Sequence, residues 1–377
     1  MTPDPISTGF SGEFNLPRLE RVISGAGTIA RVGAELDRLG ATRVVIVTGR
    51  TLGASPLLES VRRSIGDRSV FVFTGARQHV PSSTVSDLVC VIEQQKADAV
   101  ISFGGGSPID TVKAAAYEMA DGPPHLAIPT TLSAGEFTSV AGITDEQTRI
   151  KRPVHHARIA PRIVVVDPLM TFETPDWLWV STAMRSLDHA VEASYSTRHH
   201  VIGEAMASRG LTLLRHHLPR SIQGSRDDQV EHRLRCQLAA WCAVFGMTNA
   251  GFGLSHALGH QIGPRWNVPH GITSCITLPH AMRFMAERVP ERFAPITLGL
   301  GLPLYSDAVR SSAFACVDRV EAFLSQFEVP RRLRDVGVPR DEIDDIAGVV
   351  RDAMEEAAAV MQPISRAEIA AVLAAAY

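Results

Sequence analysis

The sequence predicts a two-domain protein: an N-terminal α/β domain built on a parallel sheet, followed by an all-helical domain. Over residues 1–168, short apolar segments rich in valine and isoleucine alternate with helical patterns. That alternation is typical of parallel strands joined by crossover helices. Over residues 169–377 the apolar residues recur at helical spacing. A chain of 377 residues is also too long for a single compact core.

The clearest strand signal is Arg43–Val47, whose sequence RVVIV is apolar and β-branched. Because crossovers between parallel strands are right-handed, this half should be Rossmann-like. The small-residue segment Ala134–Ile143 is expected to be a flexible cover over a ligand. The other strands are predicted at Ser69–Thr74, Ala99–Phe103, Leu126–Pro129 and Arg158–Asp167, and the helices at Ala30–Leu39, Pro56–Ile65 and Ser83–Gln95.

The second domain is predicted to be helical throughout. Its last helix begins with a capping box, Ser365 followed three residues later by Glu368. The predicted helices are Pro175–Tyr195, Glu204–His217, Asp228–Ala250, Leu254–Gln261, Leu278–Val289, Val317–Phe327, Asp341–Val360 and Ser365–Ala376.

Composition narrows the function classes. The formal net charge is −3, with 45% hydrophobic and 20% charged residues, as in an ordinary globular protein. Lysine and arginine are scattered, so neither a nucleic acid nor a membrane is expected as a partner. Five widely spaced cysteines without a CxxC pair indicate reduced thiols and a cytoplasmic location. No signal-peptide pattern and no apolar run of membrane-spanning length are expected here.

A glycine turn marks a candidate phosphate site. The segment Gly104–Ser107 directly follows a predicted strand and opens a helix that has Pro108 in its first turn. Glycines allow the backbone to approach a pyrophosphate, and a helix N-terminus supplies N–H donors. A tight strand-to-helix turn without a ligand is the alternative. The hydroxyls of Thr130, Thr131 and Ser133 follow the next strand, at the sheet edge where such folds bind ligands.

The residues after the first clear strand bear on which dinucleotide is bound. Many NAD-selective enzymes carry an acid there, which binds the ribose 2′-hydroxyl. This chain has Gly49 and then Arg50. The glycine leaves room for a 2′-phosphate and the arginine can pair with it. NADPH is therefore expected to bind, with NADH also accepted. A solvated surface arginine is the alternative.

Three histidines lie in the segment Gly253–Arg283. His256 and His260 are four residues apart, so they share one face of the predicted helix. That helix is expected to end at Gln261, before a glycine and two prolines, after which the chain returns His270 to the same place.

A fourth histidine, His189, lies on the helical pattern upstream. Imidazoles from two segments are therefore predicted to meet in one site. The alternative is that two or three of the four histidines only contribute to packing.

These motifs together resemble the iron-activated (group III) alcohol dehydrogenases. The segment SHALGHQIG…VPHGITSCITLPH is most similar to the maleylacetate reductase branch, and GGGSPIDTVKAAA and IPTTLSAGEFTSVAGIT extend the resemblance along nearly the whole chain. It implies a dehydroquinate synthase/iron alcohol dehydrogenase-like fold, NADH or NADPH as cofactor, and a homodimer. Pattern and resemblance together assign the dinucleotide to Gly49, Arg50, Gly104, Gly105, Gly106, Ser107, Asp110, Lys113, Thr130, Thr131 and Ser133.

One departure from the family pattern concerns a metal. The resemblance places the metal ligands at His189, His256 and His270. Metal-bearing members have an aspartate four residues before the first of these, where this chain has Arg185. A guanidinium keeps its proton and repels a divalent cation, so a metal-poor or metal-free site is expected. Asp188 is not expected to substitute, since consecutive helix positions point about 100° apart.

The resemblance implies reduction of the C=C bond of maleylacetate, or chlorinated forms of it, to 3-oxoadipate. The substrate would be a small dicarboxylate that accepts hydride from the nicotinamide. Arg185 would bind a carboxylate or the enolate, the three ligand-position histidines would serve as hydrogen-bond donors, and His260 would donate the proton. Arg265 and Arg283 are weaker candidates for the second carboxylate, with surface ion pairs as the alternative.

Two other functions remain open. One is a metal-dependent alcohol dehydrogenase or carbonyl reductase that uses iron or zinc as a Lewis acid. The other is a relative retasked for another unsaturated keto acid or a biosynthetic intermediate, or one that binds nucleotide without turnover.

Overall fold

The computed structural model describes residues 14–147, 151–305, 307–357 and 363–377. The chain divides into two compact units. The sheet unit comprises Leu16–Pro175 and Gly224–Gln237, and the helical unit contains Asp176–Gln223 and Leu238–Tyr377. The strands are β1 (Arg21–Ser24), β2 (Arg43–Val47), β3 (Ser69–Phe73), β4 (Ala99–Gly104), β5 (His125–Pro129), β6 (Val140–Thr144), β7 (Lys151–His155) and β8 (Ile163–Val166).

The α-helices follow the chain in order, and several short 3₁₀ turns connect them. Their bounds are α1 (Val32–Leu39), α2 (Arg50–Gly53), α3 (Pro56–Ile65), α4 (Ser82–Gln94), α5 (Gly106–Glu118), α6 (Asp176–Tyr195), α7 (Val201–His217), α8 (Arg226–Ala250), α9 (Leu254–Trp266), α10 (His270–Arg288), α11 (Ala294–Gly299), α12 (Val309–Leu324), α13 (Ile343–Ala357) and α14 (Arg366–Ala375).

The predicted parallel sheet is confirmed. Six parallel strands lie in the order β1-β8-β5-β4-β2-β3. Alternate residues of β2 face opposite sides: Val44 and Ile46 pack in a core with residues of α1 and α3, whereas Val45 and Val47 pack with α4 and α5. The central strands are apolar throughout because both faces of the sheet are covered by helices.

The segment predicted to be a flexible cover forms a 3₁₀ turn, Gly135–Phe137, followed by strand β6. Residues of β6 pair with β7 in a two-stranded antiparallel ribbon, and Ala134 and Phe137 are buried. Buried apolar side chains and a strand ladder pack this segment, and its small residues permit that close packing.

The boundary between the two units differs from the predicted one at residue 168. The first stretch of the sheet unit continues to Pro175, and Gly224–Gln237 returns to it. The return has a local reason, because Arg233 donates to the carbonyl of Thr171 at 3.0 Å and lies over the ring of Phe172.

The helical second half is confirmed, although several helix bounds differ from the predicted ones. Residues of α9, α10, α13 and α14 form one apolar core, and the Ser365–Glu368 capping box is present. The helix predicted for 254–261 continues through Pro264 to Trp266. The predicted end of another helix at Val360 lies outside the described residues. No single helix among the described residues is long and apolar enough to cross a membrane, although α8 and α9 meet that criterion as a bent pair.

Candidate active site

One face of α6 organises the helical unit. Arg185, Asp188, His189 and Glu192 follow one another at offsets of three, four and seven residues, the spacing that places side chains on one face. All four side chains are buried. Such a concentration of ionisable groups out of water is costly unless each finds a partner.

Glu192 occupies the N-terminus of α9. Its carboxylate accepts hydrogen bonds from the backbone N–H groups of Gly253 and Ser255, both at 2.7 Å, and from Nδ1 of His256 at 2.6 Å. A side chain at position 253 would not fit, because a Cβ there would lie 2.7 Å from the Glu192 carboxyl carbon. The carboxylate therefore both caps α9 and fixes the His256 ring, leaving Nε2 as the outward nitrogen.

Asp188 is held by hydroxyls from the two following helices. Its Oδ2 accepts from Ser255 Oγ at 2.8 Å and from Ser274 Oγ at 2.7 Å. A guanidinium nitrogen of Arg185 lies 3.8 Å from the same oxygen and 3.2 Å from Ser274 Oγ. Although burial opposes ionisation, His256 and then Arg185 hold the pKa of Asp188 below its ordinary value. Asp188 is thus an ionised carboxylate beside the guanidinium.

The four predicted histidines come together, and they come from three helices. The ring centroids of His189 and His256 are 4.9 Å apart, those of His256 and His260 are 6.5 Å apart, and those of His260 and His270 are 5.0 Å apart. Phe252 stacks on His256 at 5.2 Å. These helices belong to the two predicted segments, and the second segment folds into two helices because α9 ends at Trp266 and His270 begins α10.

The return of the chain occurs at Asn267, which adopts a left-handed conformation with φ of 53° at the C-terminus of α9. His270 is then the first residue of α10. Pro264 lies inside α9, two residues before its end, and removes one backbone donor there. A helical hairpin, α9 followed by α10, therefore carries three of the four imidazoles.

The two most buried imidazoles of the cluster have pKa values shifted in opposite directions. Burial, His256 and Arg185 together hold the pKa of His189 well below its ordinary value, so this ring is neutral. For His256, burial and Arg185 oppose protonation, but the carboxylates of Asp188 and Glu192 outweigh them and raise the pKa. The cluster thus contains a neutral imidazole beside one that is disposed to carry a proton.

The expectation of a metal-free site is not supported. It rested on Arg185 alone, whereas the site also contains Asp188 and Glu192, so one cation faces two carboxylates before any imidazole is protonated. Ligand atoms of these two acids and His256 lie within 4.8 Å of one another. No described residue hydrogen-bonds the buried Nε2 of His256.

These residues fit a divalent metal in both donor type and charge. His189 and His256 would hold it, and the two carboxylates would supply the compensating negative charge. The oxygens of Glu192 are already engaged with α9, so this residue is better suited to orient His256 than to bind a metal itself.

The residues assigned to the dinucleotide also come together, within the sheet unit. A Cβ added at Gly105 would lie 2.8 Å from Thr131 Cγ2, and one added at Gly106 would lie 3.4 Å from Ser133 Oγ. The Thr130 N–H bonds the Gly104 carbonyl at 3.0 Å. The glycine turn, Gly104–Ser107, and the hydroxyl loop, Thr130–Ser133, are thus in contact. Among the described residues, no side chain caps the N-terminus of α5. This backbone arrangement fits a pyrophosphate.

The glycine predicted to admit a 2′-phosphate lies at the N-terminus of the short helix α2. Gly49 is the N-cap of α2 and Arg50, its first residue, is exposed. A Cβ at Gly49 would lie 3.6 Å from the carbonyl oxygen of Ala76. Leu52 of the same helix lies near Gly104, 3.5 Å from the position of a Cβ there, so α2 and the glycine turn belong to the same region.

The remaining assigned pair, Asp110 and Lys113, lies on α5. The Asp110 side chain is 23% exposed, whereas that of Lys113 is fully buried, and the two are 3.4 Å apart. The ammonium of Lys113 therefore cannot contact a ligand, which corrects its assignment as a direct cofactor contact. Next to this pair lies Glu136, whose carboxyl is buried, and burial raises its pKa to about 7.

Two predicted carboxylate binders take part in surface ion pairs. Arg265 pairs with Asp345 at 2.6 Å, and Arg283 lies between Asp318 and Glu321 at 3.3 and 3.1 Å. Their charges are already compensated, so both arginines are surface ion-pair residues, which was the alternative to binding the second carboxylate.

Sequence reasoning missed three acids: Asp188 as a member of the site, Glu192 and Glu136. The first two were detectable, because their offsets from Arg185 are those of one helix face. Glu136 carried no such signal, since its burial depends on a 3₁₀ turn (Gly135–Phe137) that follows a left-handed Ala134 with φ of 61°.

Two family profiles match the chain. The one described as "Iron-containing alcohol dehydrogenase" matches residues 19–168, and "Fe-containing alcohol dehydrogenase family, C-terminal" matches residues 179–377. The chain belongs to the iron-containing alcohol dehydrogenase family. It is an oxidoreductase of this family and resembles the maleylacetate reductase branch.

Family relatives include enzymes of two kinds. Maleylacetate reductase 1 of Cupriavidus pinatubonensis is 31% identical, with 85% of this chain and 87% of that protein covered. The NAD-dependent methanol dehydrogenase of Bacillus methanolicus is 30% identical, with 86% and 90% covered. The crystal structure of maleylacetate reductase from Agrobacterium tumefaciens has a TM-score of 0.81 and 25% identity, with 98% and 99% covered.

The three hydrogen bonds that the Glu192 carboxylate accepts lead to a first prediction. Glu192→Gln keeps the shape but weakens three hydrogen bonds to a charged acceptor, each worth roughly 1.5–3 kcal/mol. We expect a loss of unfolding free energy of about 2 kcal/mol or more, and a roughly 10- to 100-fold loss of activity through misplacement of His256. Urea unfolding and steady-state rates measure both, with the exposed Glu59→Gln as control. Unchanged values for Glu192→Gln would remove the orienting role.

The raised pKa of Glu136 gives a second prediction. The native state keeps this proton between the ordinary value of 4.5 and about 7, where the unfolded chain has lost it. Stability from this group is therefore complete below pH 4.5 and lost as pH rises through about 7. Glu136→Gln should lack that decline, so its urea midpoint should change less between about pH 5 and 7.5 than that of wild type. The exposed Glu93→Gln is the control, and parallel curves for Glu136→Gln and wild type would contradict the assignment.

Proposed function

We propose that this chain is an NAD(P)H-dependent maleylacetate reductase, which reduces the C=C bond of maleylacetate to 3-oxoadipate. The observation that carries the proposal is Arg185, a buried guanidinium beside the imidazole cluster, at the position where the resemblance places an aspartate in metal-bearing members. A fixed cation there suits an anionic substrate, which a simple primary alcohol is not.

The local charges support a carboxylate partner for Arg185. Asp188 lies 3.8 Å away, at the limit of an ion pair, and its carboxylate is already bound by two hydroxyls. The guanidinium has five donors, of which the structure assigns one to Ser274 at 3.2 Å. In a buried site a second carboxylate would find donors held in advance, which strengthens binding and the stabilisation of developing negative charge.

The chemistry divides between cofactor and chain. The glycine turn and the hydroxyls of Thr131 and Ser133 would hold a reduced nicotinamide dinucleotide, which would supply hydride to the alkene carbon remote from the ketone and leave the substrate as an enolate. Arg185 would stabilise the enolate oxygen, and His256, whose pKa is raised by the carboxylates of Asp188 and Glu192, would donate a hydrogen bond to it. His260, half-buried beside His270, donates the proton that completes the saturated product.

A metal-dependent alcohol dehydrogenase is the second candidate. Its supporting observation is the pair of buried carboxylates next to His256, which suits a divalent ion held by His189 and His256. Such an ion supplies a Lewis acid for a carbonyl or alkoxide oxygen.

An assay panel with metal analysis tests the two functions. Purified protein is supplied with NADPH or NADH and maleylacetate, and in parallel with NAD⁺ or NADP⁺ and methanol or 1,3-propanediol, and its iron and zinc content is measured. We expect turnover of maleylacetate with NADPH or NADH, and treatment with a chelator shows whether that turnover depends on a bound metal. Alcohol oxidation that chelation abolishes, with no reduction of maleylacetate, would establish the second candidate and overturn the first.

The role of Arg185 is tested by Arg185→Lys and Arg185→Met. Each loses the bidentate geometry, and the methionine also loses the charge, so kcat/KM for maleylacetate should fall roughly 10- to 100-fold in Arg185→Met. Cofactor affinity should not change. Because loss of a buried cation leaves Asp188 uncompensated, Arg185→Lys serves as the folded comparison. An unchanged KM in both variants would show that the carboxylate binds elsewhere.

His260→Ala isolates the proton donor. The maximal rate should fall about 10²- to 10⁴-fold, the usual contribution of a general acid, while the dissociation constant for NADPH stays within a fewfold. The matched control is His216→Ala, which removes an exposed histidine. Wild-type turnover in His260→Ala would assign the proton to another group.

A further inference from the structure

Lys113 lies in the middle of α5, and its ammonium has no exposed surface. A buried ammonium is strongly disfavoured unless hydrogen bonds and opposite charge compensate it. Burial lowers the pKa of Lys113, while Asp110 and Glu136 oppose that shift. A methionine or leucine would pack in a helix without this cost, so the lysine must contribute an interaction.

Its three hydrogen-bond acceptors are on two separate elements. Nζ donates to the carbonyl of Gly135 at 2.9 Å and to Thr138 Oγ1 at 3.0 Å, both in the loop after β5. On its own helix it reaches Asp110 Oδ1 at 3.4 Å. The ammonium thus ties α5 to the loop and at the same time holds the Asp110 carboxylate.

The same loop forms one wall of the candidate dinucleotide site. Thr131 and Ser133 lie against the glycine turn, at 2.8 and 3.4 Å from Cβ positions at Gly105 and Gly106. Between these hydroxyls and the Lys113 contacts, Ala134 has a positive φ of 61°. A non-glycine residue in that conformation needs fixed surroundings. Release of the Gly135 carbonyl would therefore let the wall move away from the turn.

We propose that Lys113 is a positioning residue for dinucleotide binding. Without touching the ligand, its buried ammonium fixes the hydroxyl loop against the glycine turn and orients the Asp110 carboxylate. This rests on the cofactor part of the proposed function. It replaces the direct contact expected from sequence with an indirect one, and it explains a buried charge that packing does not require.

Two variants remove the hydrogen bonds between Lys113 and the loop to different extents. Lys113→Met removes the ammonium, and Thr138→Val removes one of its acceptors while keeping the lysine. We expect the dissociation constant for NADPH, measured by fluorescence titration, to rise on the order of tenfold in Lys113→Met and by about threefold in Thr138→Val. The rate at saturating cofactor should change less than twofold. The exposed Lys96→Met is the matched control and should match wild type in both measurements.

A second measurement does not depend on the cofactor. Amide hydrogen exchange at residues 130–138 of the free protein should be faster in both variants, while exchange in β2 and β4 stays as in wild type. The double variant should bind NADPH as weakly as Lys113→Met alone, since both changes remove one interaction.

The outcomes separate this inference from the proposed function. Wild type that binds NADPH but does not reduce maleylacetate would overturn the substrate assignment and leave the Lys113 test intact. Unchanged affinity and unchanged loop exchange in a folded Lys113→Met would overturn the positioning role. If that variant does not fold, an unchanged affinity and loop exchange in Thr138→Val would overturn it instead. A fall in the saturated rate without a change in affinity would also contradict it.

Discussion

The helical unit depends on how two buried carboxylates are satisfied. Glu192 accepts hydrogen bonds from the backbone at the N-terminus of α9 and from a ring nitrogen of His256. Asp188 accepts hydrogen bonds from hydroxyl groups of α9 and α10. A carboxylate without these donors would destabilise the fold by several kcal/mol. The partners of α6 are therefore fixed in position, and the imidazoles they carry are placed with them.

The sheet unit also buries a charged group, in this case the positive ammonium of Lys113. The ammonium of Lys113 is compensated by Asp110 and by a carbonyl and a hydroxyl of the following loop. In both units the groups that can meet a ligand are supported by a second layer of buried charge. Such support restricts rotamers and loop positions before anything binds, which lowers the entropic cost of binding.

The position of Arg185 explains why the metal question could not be answered from one residue. A cation at a ligand position argues against a metal when it is considered alone. With Asp188 and Glu192 beside it, the same guanidinium becomes part of a site whose fixed charge is negative. It can then either bind a carboxylate of the substrate or share the site with an ion, and the chelation experiment separates these roles.

The sequence by itself determined the parallel sheet, the helical second half and the shared helix face of His256 and His260, because apolar periodicity and residue spacing are local properties. The expected approach of His189 and His270 to that face depends on packing between helices. Tertiary structure alone decided that Lys113 is buried, that Glu136 is buried with a raised pKa, and that Pro264 does not end α9. Each of these depends on which distant backbone and side-chain groups surround the residue. No local pattern encodes that environment, since burial and hydrogen-bond partners arise only when separate elements pack together.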